Sequence, residues 1–357
     1  MEAIAPTRFA EKWDNVGLLC GDPATKLTGV TLCIDLTTAV LDEAEAAGAN
    51  AVVAYHPPIF KDLTRLTPTN PAGQAAYEAV RRGIAVFTPH TALDVAAGGT
   101  NDVLGDVLGM TTRRPLAPAT AETIYKLVVY VPKDAVDQVA GAIFDAGAGR
   151  IGNYDQCSFR SSGTGTFCGD ATTHPTIGRP GSLERVEEVR LETVVPSSVR
   201  SKVLSALGRA HPYEEPAFDL FQTDIGKATT GLGRIGTLGE PTSRQELYER
   251  IKTGLNVGNL LVCGPTHGEV STVACCAGSC GDLLDRAAAA GAELYLTGEL
   301  KHHDALRCQK LGMTAVCVLH SNSERRTLQV VADRLRERLP RLSAAPAKAD
   351  RDPFVLL

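Results

Sequence analysis

Met313-Thr-Ala-Val-Cys-Val-Leu-His320, preceded by Asp304 to Gly312, reads as a helix, a glycine stop, a short buried strand and a histidine where the strand ends. Glycine suits the left-handed position that closes a helix, and an apolar run of this length suits a strand buried on both faces. The same grammar occurs three more times. Leu41 to Gly48 leads into Ala51-Val-Val-Ala-Tyr-His56, and Ala75 to Gly83 into Ile84-Ala-Val-Phe-Thr-Pro-His90. Leu283 to Gly291 leads into Glu293-Leu-Tyr-Leu-Thr-Gly-Glu299. Alternating helices and buried strands predict an α/β fold, a mixed or parallel sheet in three layers. Ligands of such sheets gather beyond the carboxyl ends of the strands, where this chain places three histidines and one glutamate.

Two of these units lie near the start of the chain and two near its end. Between them, strand Tyr125 to Val131, helix Ala135 to Ala146, a Gly/Ser/Thr-rich turn region, strand Glu187 to Val194 and helix Ser197 to Ala210 spell a βαβ(β)αβ order. That order is compatible with a ferredoxin-like α+β module inserted at 124–222. The reading divides the rest into 1–120 and 230–340, with Arg113 to Glu122 and Thr223 to Gly233 as hinges rich in Pro, Gly and Thr. Residues 341–357 are expected to be a flexible tail.

The 357 residues are 44% hydrophobic and 22% charged, the balance of an ordinary folded protein. A formal net charge of −5 argues against direct nucleic-acid binding, which needs a basic face to displace counterions. No apolar run reaches membrane-spanning length, and Met1 to Trp13 lacks the apolar block of a secretory signal, so the expected location is the cytoplasm. Most of the ten cysteines are expected to be buried and reduced, since Cys33, Cys263 and Cys317 lie within apolar strand patterns.

His56, His90 and His320 close three strands, Asp94 follows His90 by four residues and Glu324 follows His320 by four. Mixed imidazole and carboxylate sets suit borderline cations such as Zn²⁺, Mn²⁺ or Fe²⁺, and a carboxylate can bridge two of them. Taken singly, each histidine reads first as a hydrogen-bonded structural side chain; it is their convergence at one sheet edge that favours a site. Ser321-Asn-Ser-Glu324 is also a capping-box pattern, which would make Glu324 a helix cap instead of a ligand. Glu299, His302 and His303 form a polar cluster after a strand and are candidates for moving protons, although neighbouring histidines on a helix point about 100° apart. Gly278-Ser279, before a predicted helix, could offer backbone N–H groups to an anion. Cys276 and Cys280 lack C-x-x-C spacing, and a structural zinc is not expected there. His211-Pro-Tyr-Glu-Glu-Pro216 reads as a rigid loop of the inserted module, more a capping or interface element than a ligand set.

Trp13-Asp-Asn-Val-Gly-Leu18, Tyr55-His-Pro-Pro-Ile-Phe60, Pro89-His-Thr-Ala-Leu-Asp94, His211-Pro-Tyr-Glu-Glu215, Gly231-Leu-Gly-Arg-Ile-Gly236, Thr297-Gly-Glu299 and His320-Ser-Asn-Ser-Glu324 together resemble the Nif-three-like family, also known as GTP cyclohydrolase I type 2 homologues. The resemblance covers Glu11 to Leu339. It implies an α/β domain built jointly from the N- and C-terminal segments, often with an inserted cap module, a dinuclear metal site, and toroidal hexamers in bacterial members. Carried over by motif, the metal ligands would be His56, Asp94, His320 and Glu324, with His90 beside them. Two departures stand out: Tyr55-His56 replaces the His-His of many members, as in eukaryotic relatives, and Cys280 stands where the glycine-rich turn usually has glycine. A phenol with a pKa near 10 is the poorer ligand, so the first metal position is expected to be weaker, empty or completed by another group.

The expectation is a protein with two divalent metal ions and hydrolase-type chemistry on a small substrate, a nucleotide or other phosphate-bearing molecule. Its rivals are a non-catalytic metal carrier or regulatory protein with protein partners, and a structural homo-oligomer whose histidines are satisfied by hydrogen bonds.

Overall fold

The four glycines that close helices in the repeated grammar, Gly48, Gly83, Gly291 and Gly312, all have φ between +67° and +85°. Nothing lies within 4 Å of a Cβ built on any of them, so backbone conformation alone calls for glycine. A computed structural model describes residues 1–71, 73–119, 123–152, 154–223 and 229–355. The chain divides into two units, Met1–Ala119 with Ala228–Leu357, and Thr120–Lys227.

The N-terminal part of the first unit runs β1 (Gly17–Cys20), β2 (Gly29–Cys33), α1 (Thr38–Ala46), β3 (Ala51–Ala54), α2 (Gln74–Arg81), β4 (Ala85–Thr88), α3 (His90–Val95), α4 (Thr100–Leu108) and β5 (Met110–Pro118). The second unit follows as β6 (Ile124–Pro132), α5 (Val136–Asp145), β7 (Ser158–Phe167), β8 (Glu184–Pro196), α6 (Arg200–Ala210) and β9 (Phe218–Gln222). The first unit then resumes with β10 (Gly231–Ser243), α7 (Arg244–Leu255), β11 (Leu261–Cys263), β12 (Glu269–Ser279), α8 (Leu284–Ala289), β13 (Leu294–Glu299), α9 (His302–Lys310), β14 (Thr314–Cys317), α10 (His320–Arg338) and β15 (Ser343–Pro346).

The α/β class holds, but the first unit contains two sheets where the sequence suggested one. One has the order β1-β4-β3-β2-β15 and the other β11-β14-β13-β12-β10-β5. The reason lies in the crossovers. Parallel β2, β3 and β4 pair with one another through nearby helices, as do β12, β13 and β14, so each end of the chain completes a local sheet before it meets the other. Helices α1 and α2 cover one face of the first sheet, packing Leu41, Ala44 and Ala79 on Val52, Ala54 and Val86. Its other face meets α3 and α10 through Leu93, Leu328 and Val331. The second sheet is covered by α4 and α7 on one face and by α8 and α9 on the other. Since α10 also touches β12 and β13, it lies between the two sheets.

A buried arginine ties segments from the two parts of the chain. Arg234 on β10 is 1% exposed. Its Nε and Nη2 donate to the two carboxylate oxygens of Asp102 on α4, at 2.9 and 2.8 Å. Nη1 donates to the carbonyls of Gly231 and Gly233 at 2.7 and 2.8 Å, and Nη2 to that of Ala96 at 3.1 Å. The Gly231-to-Gly236 motif therefore serves a structural guanidinium socket.

The second unit is ferredoxin-like: its four-stranded sheet has the order β7-β8-β6-β9, with every pairing antiparallel. Val139, Ile143, Val203 and Leu207 of α5 and α6 cover one face of that sheet. A cavity of about 610 Å³ lies on the opposite face, lined in part by Tyr130, Glu188 and Tyr213.

Two sequence expectations are corrected. Of the supposed hinges, 120–122 and 224–228 lie outside the described residues, but most of the remainder is sheet. Gly231 pairs with Pro118 and Arg234 with Pro115, and the prolines are tolerated because β5 is an edge strand. The supposed tail is docked as well. β15 pairs with β2 in parallel, the buried Asp350 accepts from Ile34 N at 2.9 Å and from Arg325 Nη1 at 2.5 Å, and Asp352 accepts from Ser321 at 2.7 Å.

Candidate metal centre

Each strand named by the sequence grammar delivers its terminal residue to the space beside α10. His56 follows β3, His90 opens α3 directly after β4, Glu299 ends β13 and His320 opens α10 after β14. The first two come from one sheet and the last two from the other. Backbone strain marks both junctions that turn straight into a helix, with φ of +27° at His90 and +71° at Leu319. Non-glycine residues rarely adopt such values, at a cost of about 1–3 kcal/mol each.

At the centre, His56, His320 and Glu324 offer ligand atoms that all lie within 4.8 Å of one another. The Nε2 atoms of His56 and His320 stand 3.2 Å from Glu324 Oε2 and 3.4 Å from Oε1. The His56 approach falls outside hydrogen-bond geometry, so Oε2 is a buried carboxylate oxygen without a hydrogen bond. The outer nitrogen of each ring is also held: His56 Nδ1 by Asp35 at 2.9 Å and His320 Nδ1 by Glu299 at 3.0 Å. That fixes both rings with Nε2 toward the carboxylate, the tautomer a cation requires.

Glu324 does not cap its helix. Because α10 starts at His320, Glu324 sits one turn in, on the same face as His320. Ser323 instead does the local bonding, accepting from Gly278 N at 2.9 Å and donating to the His320 carbonyl at 2.7 Å. Glycine is required at two neighbouring positions by crowding. A Cβ on Gly278 would stand 3.2 Å from Glu324 Oε1 and 3.4 Å from His320 Nε2, filling the space between the ligand atoms. On Gly298 it would lie 2.6 Å from the Gly278 carbonyl oxygen. Since Ser323 already takes the Gly278 N–H, that group is not free for the anion expected at Gly278-Ser279.

His90 and Asp94 lie close by, outside the three-residue group. The His90 and His56 rings are 5.4 Å apart, and His90 Nδ1 is held by Asp14 at 2.7 Å. Asp94 accepts a short hydrogen bond from the hydroxyl of fully buried Tyr55, which also bonds Thr100 at 2.9 Å. Tyr55 is therefore a donor that positions Asp94; burial and the Asp94 charge push its own ionisation well above the usual phenol range. Surrounding protein, then the charge of Glu324, lifts the Asp94 carboxyl to about 6, although part of the residue stays accessible to solvent. His302 and His303 meet edge to face, exposed, at the start of α9. His211 of the second unit bonds the Tyr130 carbonyl and Tyr213 N, locking its own loop.

Two carboxylates with direct contacts here were not singled out in the sequence. Asp35 lies just beyond β2, where the strand-end rule would have found it had its strand followed an Ala-rich helix. Asp14 lies inside the Trp13-to-Leu18 motif, and its buried carboxylate also accepts from Thr91 N at 3.1 Å.

Burial opposes protonation of His56, but Asp35 and Glu324 outweigh it and raise its pKa to about 10. Glu324 lifts His320 to about 9 against burial, with Glu299 adding. Burial alone would raise Glu324, yet the two histidines hold it below the usual carboxylate range. Without a cation both rings are thus protonated at pH 7, and a cation must displace those protons. Binding therefore tightens as pH rises: between pH 7 and 8 the dissociation constant falls about tenfold for each proton released, up to about a hundredfold. Competition with a chelating dye at the two pH values measures this, and a constant unchanged by pH excludes both imidazoles as ligands.

The family model Duf34/NIF3 (NGG1p interacting factor 3) matches residues 1–353. The chain belongs to this family. Among curated members, the GTP cyclohydrolase 1 type 2 homolog of Mycobacterium leprae is 40% identical over 303 residues, 84% of this chain and 78% of that protein. The homolog of Halalkalibacterium halodurans is 38% identical over 302 residues, 85% of this chain and 81% of that protein. A Bacillus cereus protein related to NIF3 has a solved structure that superposes with a TM-score of 0.85 at 36% identity, covering 100% of this chain and 96% of the other. Like the sequence motifs, these matches place the chain in the Duf34/NIF3 family over both units. Among the described residues no helix is long and apolar enough to cross a membrane.

Proposed function

We propose that this family member holds divalent metal through His56, His320 and Glu324, with Asp94 and His90 completing a second position, and uses it for hydrolase-type chemistry on a nucleotide or other phosphate-bearing small molecule. The observation that carries the reading is the buried Glu324 carboxylate, whose two oxygens face the Nε2 atoms of two imidazoles with anchored outer nitrogens, Oε2 having no partner in hydrogen-bond geometry. Two nitrogens and a carboxylate suit Zn²⁺, Mn²⁺ or Fe²⁺. When bound, such a cation supplies water ionised near neutral pH and polarises a substrate oxygen. Asp35 and Glu299 hold the rings in the ligating tautomer, Tyr55 holds Asp94, and Gly278 keeps the face between His320 and Glu324 open. In this scheme Glu299 acts through His320, while exposed His302 and His303 exchange protons with solvent. The substrate class is supported by the name of the curated relatives, homologues of GTP cyclohydrolase 1 type 2.

The test is a panel of nucleotides and phosphoesters offered to the metal-reconstituted full chain and to a Glu324→Gln variant. Turnover that requires metal and disappears in the variant is the expected result. Tight metal binding with no turnover across the panel would replace hydrolysis by the carrier reading. Homo-oligomerisation, up to a hexamer, and a cytoplasmic location belong to the same proposal, and light scattering and cell fractionation read them directly.

A further inference from the structure

Cys276 and Cys280 bracket the turn that carries Gly278 and have no part in the proposed metal chemistry. Their sulfurs are 2.8 Å apart, with the Cys276 thiol donating to Cys280 Sγ, and Cys280 in turn donates to the Ala277 carbonyl at 3.1 Å. The register of β12 against β13 shifts between Cys276 and Ser279, at Gly278 with its φ of +73°, and this bulge brings side chains four positions apart onto one side. Cys276 is 1% exposed, packed in the cluster with Leu283, Leu284 and Tyr295, whereas Cys280 is half-buried and can be reached from solvent. One accessible thiol thus rests against one inaccessible thiol.

We infer that Cys276 and Cys280 form an oxidisable dithiol, a modification site that a low-molecular-weight disulfide such as oxidised glutathione converts to an intramolecular disulfide. The Cys280 thiolate attacks one sulfur of oxidised glutathione; that S–S bond breaks, and one glutathione thiolate leaves and takes up a proton. Cys276 attacks Cys280 Sγ of the mixed disulfide; the bond from Cys280 to glutathione breaks, and the second glutathione leaves as a thiol carrying the proton that Cys276 gives up. Two protein thiols are oxidised by two electrons, and one oxidised glutathione is reduced to two thiols. Only a small approach separates the sulfurs from the roughly 2.05 Å of a bonded pair.

The experiment equilibrates the full-length protein, as purified, with excess oxidised glutathione, then denatures it in acid and maps disulfides and adducts by fragment mass spectrometry. Wild type is expected to show a Cys276–Cys280 disulfide without glutathione attached to either residue. Cys276→Ala is expected to accumulate a stable glutathione adduct on Cys280, and Cys280→Ser to leave Cys276 a free thiol. The inference is overturned if wild type keeps both thiols free, or if Cys276→Ala acquires no adduct at Cys280. Circular dichroism of both variants establishes that each is folded, and because no metal enters the readout, the outcome is independent of the metal proposal.

Discussion

Glu324→Gln protein binds divalent metal at least about 100-fold more weakly than wild type, a larger loss than the 10- to 100-fold expected for removing a residue that only orients a ligand. Glutamine has the shape of glutamate, so packing inside α10 is preserved while the charge facing His56 and His320 is removed. Asp35→Asn supplies the graded comparison, because it disturbs only the outer nitrogen of His56. Elemental analysis of dialysed protein gives the stoichiometry, and dye competition gives the affinity. If Glu324→Gln retains wild-type metal content and affinity, the metal lies elsewhere. If Asp35→Asn is as damaging as Glu324→Gln, the carboxylate acts by general electrostatics and is not itself a ligand. The variant also has a signature without metal: His56 and His320 each lose one of the two carboxylates that raise them, so their proton-linked NMR shifts titrate nearer to the ordinary histidine value of about 6.5, with Asp35 and Glu299 holding back the full fall.

Arg234→Ala lowers the unfolding free energy by about 3–5 kcal/mol, the usual result of breaking a buried ion pair from one side. The substitution leaves Asp102 without its two-point partner and removes the donors to three carbonyls. Arg113, 3.3 Å from Asp102, recovers only part of this because it is already engaged with Asp106. Arg234→Lys rescues little, since a single ammonium cannot reproduce the planar fork. Denaturant unfolding of the metal-free protein measures both variants, and a loss under about 1 kcal/mol for Arg234→Ala would show that the socket relaxes around the gap. The consequence reaches the candidate metal centre through the preceding residue of α4. Asn101 bonds the Asp94 carbonyl at 3.0 Å and accepts from Ala277 N at 2.9 Å, so a shifted α4 moves both walls of the site.

How much of this was legible in sequence depended on whether a residue changed a local pattern. His56, His90, Glu299 and His320 each end an apolar run, and a polar residue there is visible without coordinates. The wide glycine spacing of the helix stops was equally visible, and every one of those glycines adopted the left-handed backbone. Asp35 ends β2 in the same way, but its strand has no preceding Ala-rich helix to draw attention to it. β7 escaped because its Ser, Thr and Gly residues are almost wholly exposed, leaving no apolar alternation to read. β15 escaped for a related reason: a short Ser-Ala-Ala-Pro segment has little strand character until it meets the edge of β2. Glu324 could be cap or ligand as long as the first residue of α10 was unknown. The positive φ of Leu319 starts the helix at His320 and so removes the cap reading, a conformation that side-chain type would not suggest. Partnering of strands across two sheets is a long-range property, and no local pattern encodes it.

The docked C-terminal segment has a consequence for biosynthesis. β15 and Asp350 are translated after α10 and all the elements before it, yet they complete the edge of β2 and bond Ile34, the residue before Asp35. The ferredoxin-like unit is continuous in sequence and can mature while translation proceeds, since domains generally fold as units in the order they are made. The surrounding unit has to wait. Until residues beyond 343 are released, β2 exposes an open edge and Asp35 lacks the neighbour that fixes its backbone, so the nascent chain carries its histidines well before the candidate centre around them is complete.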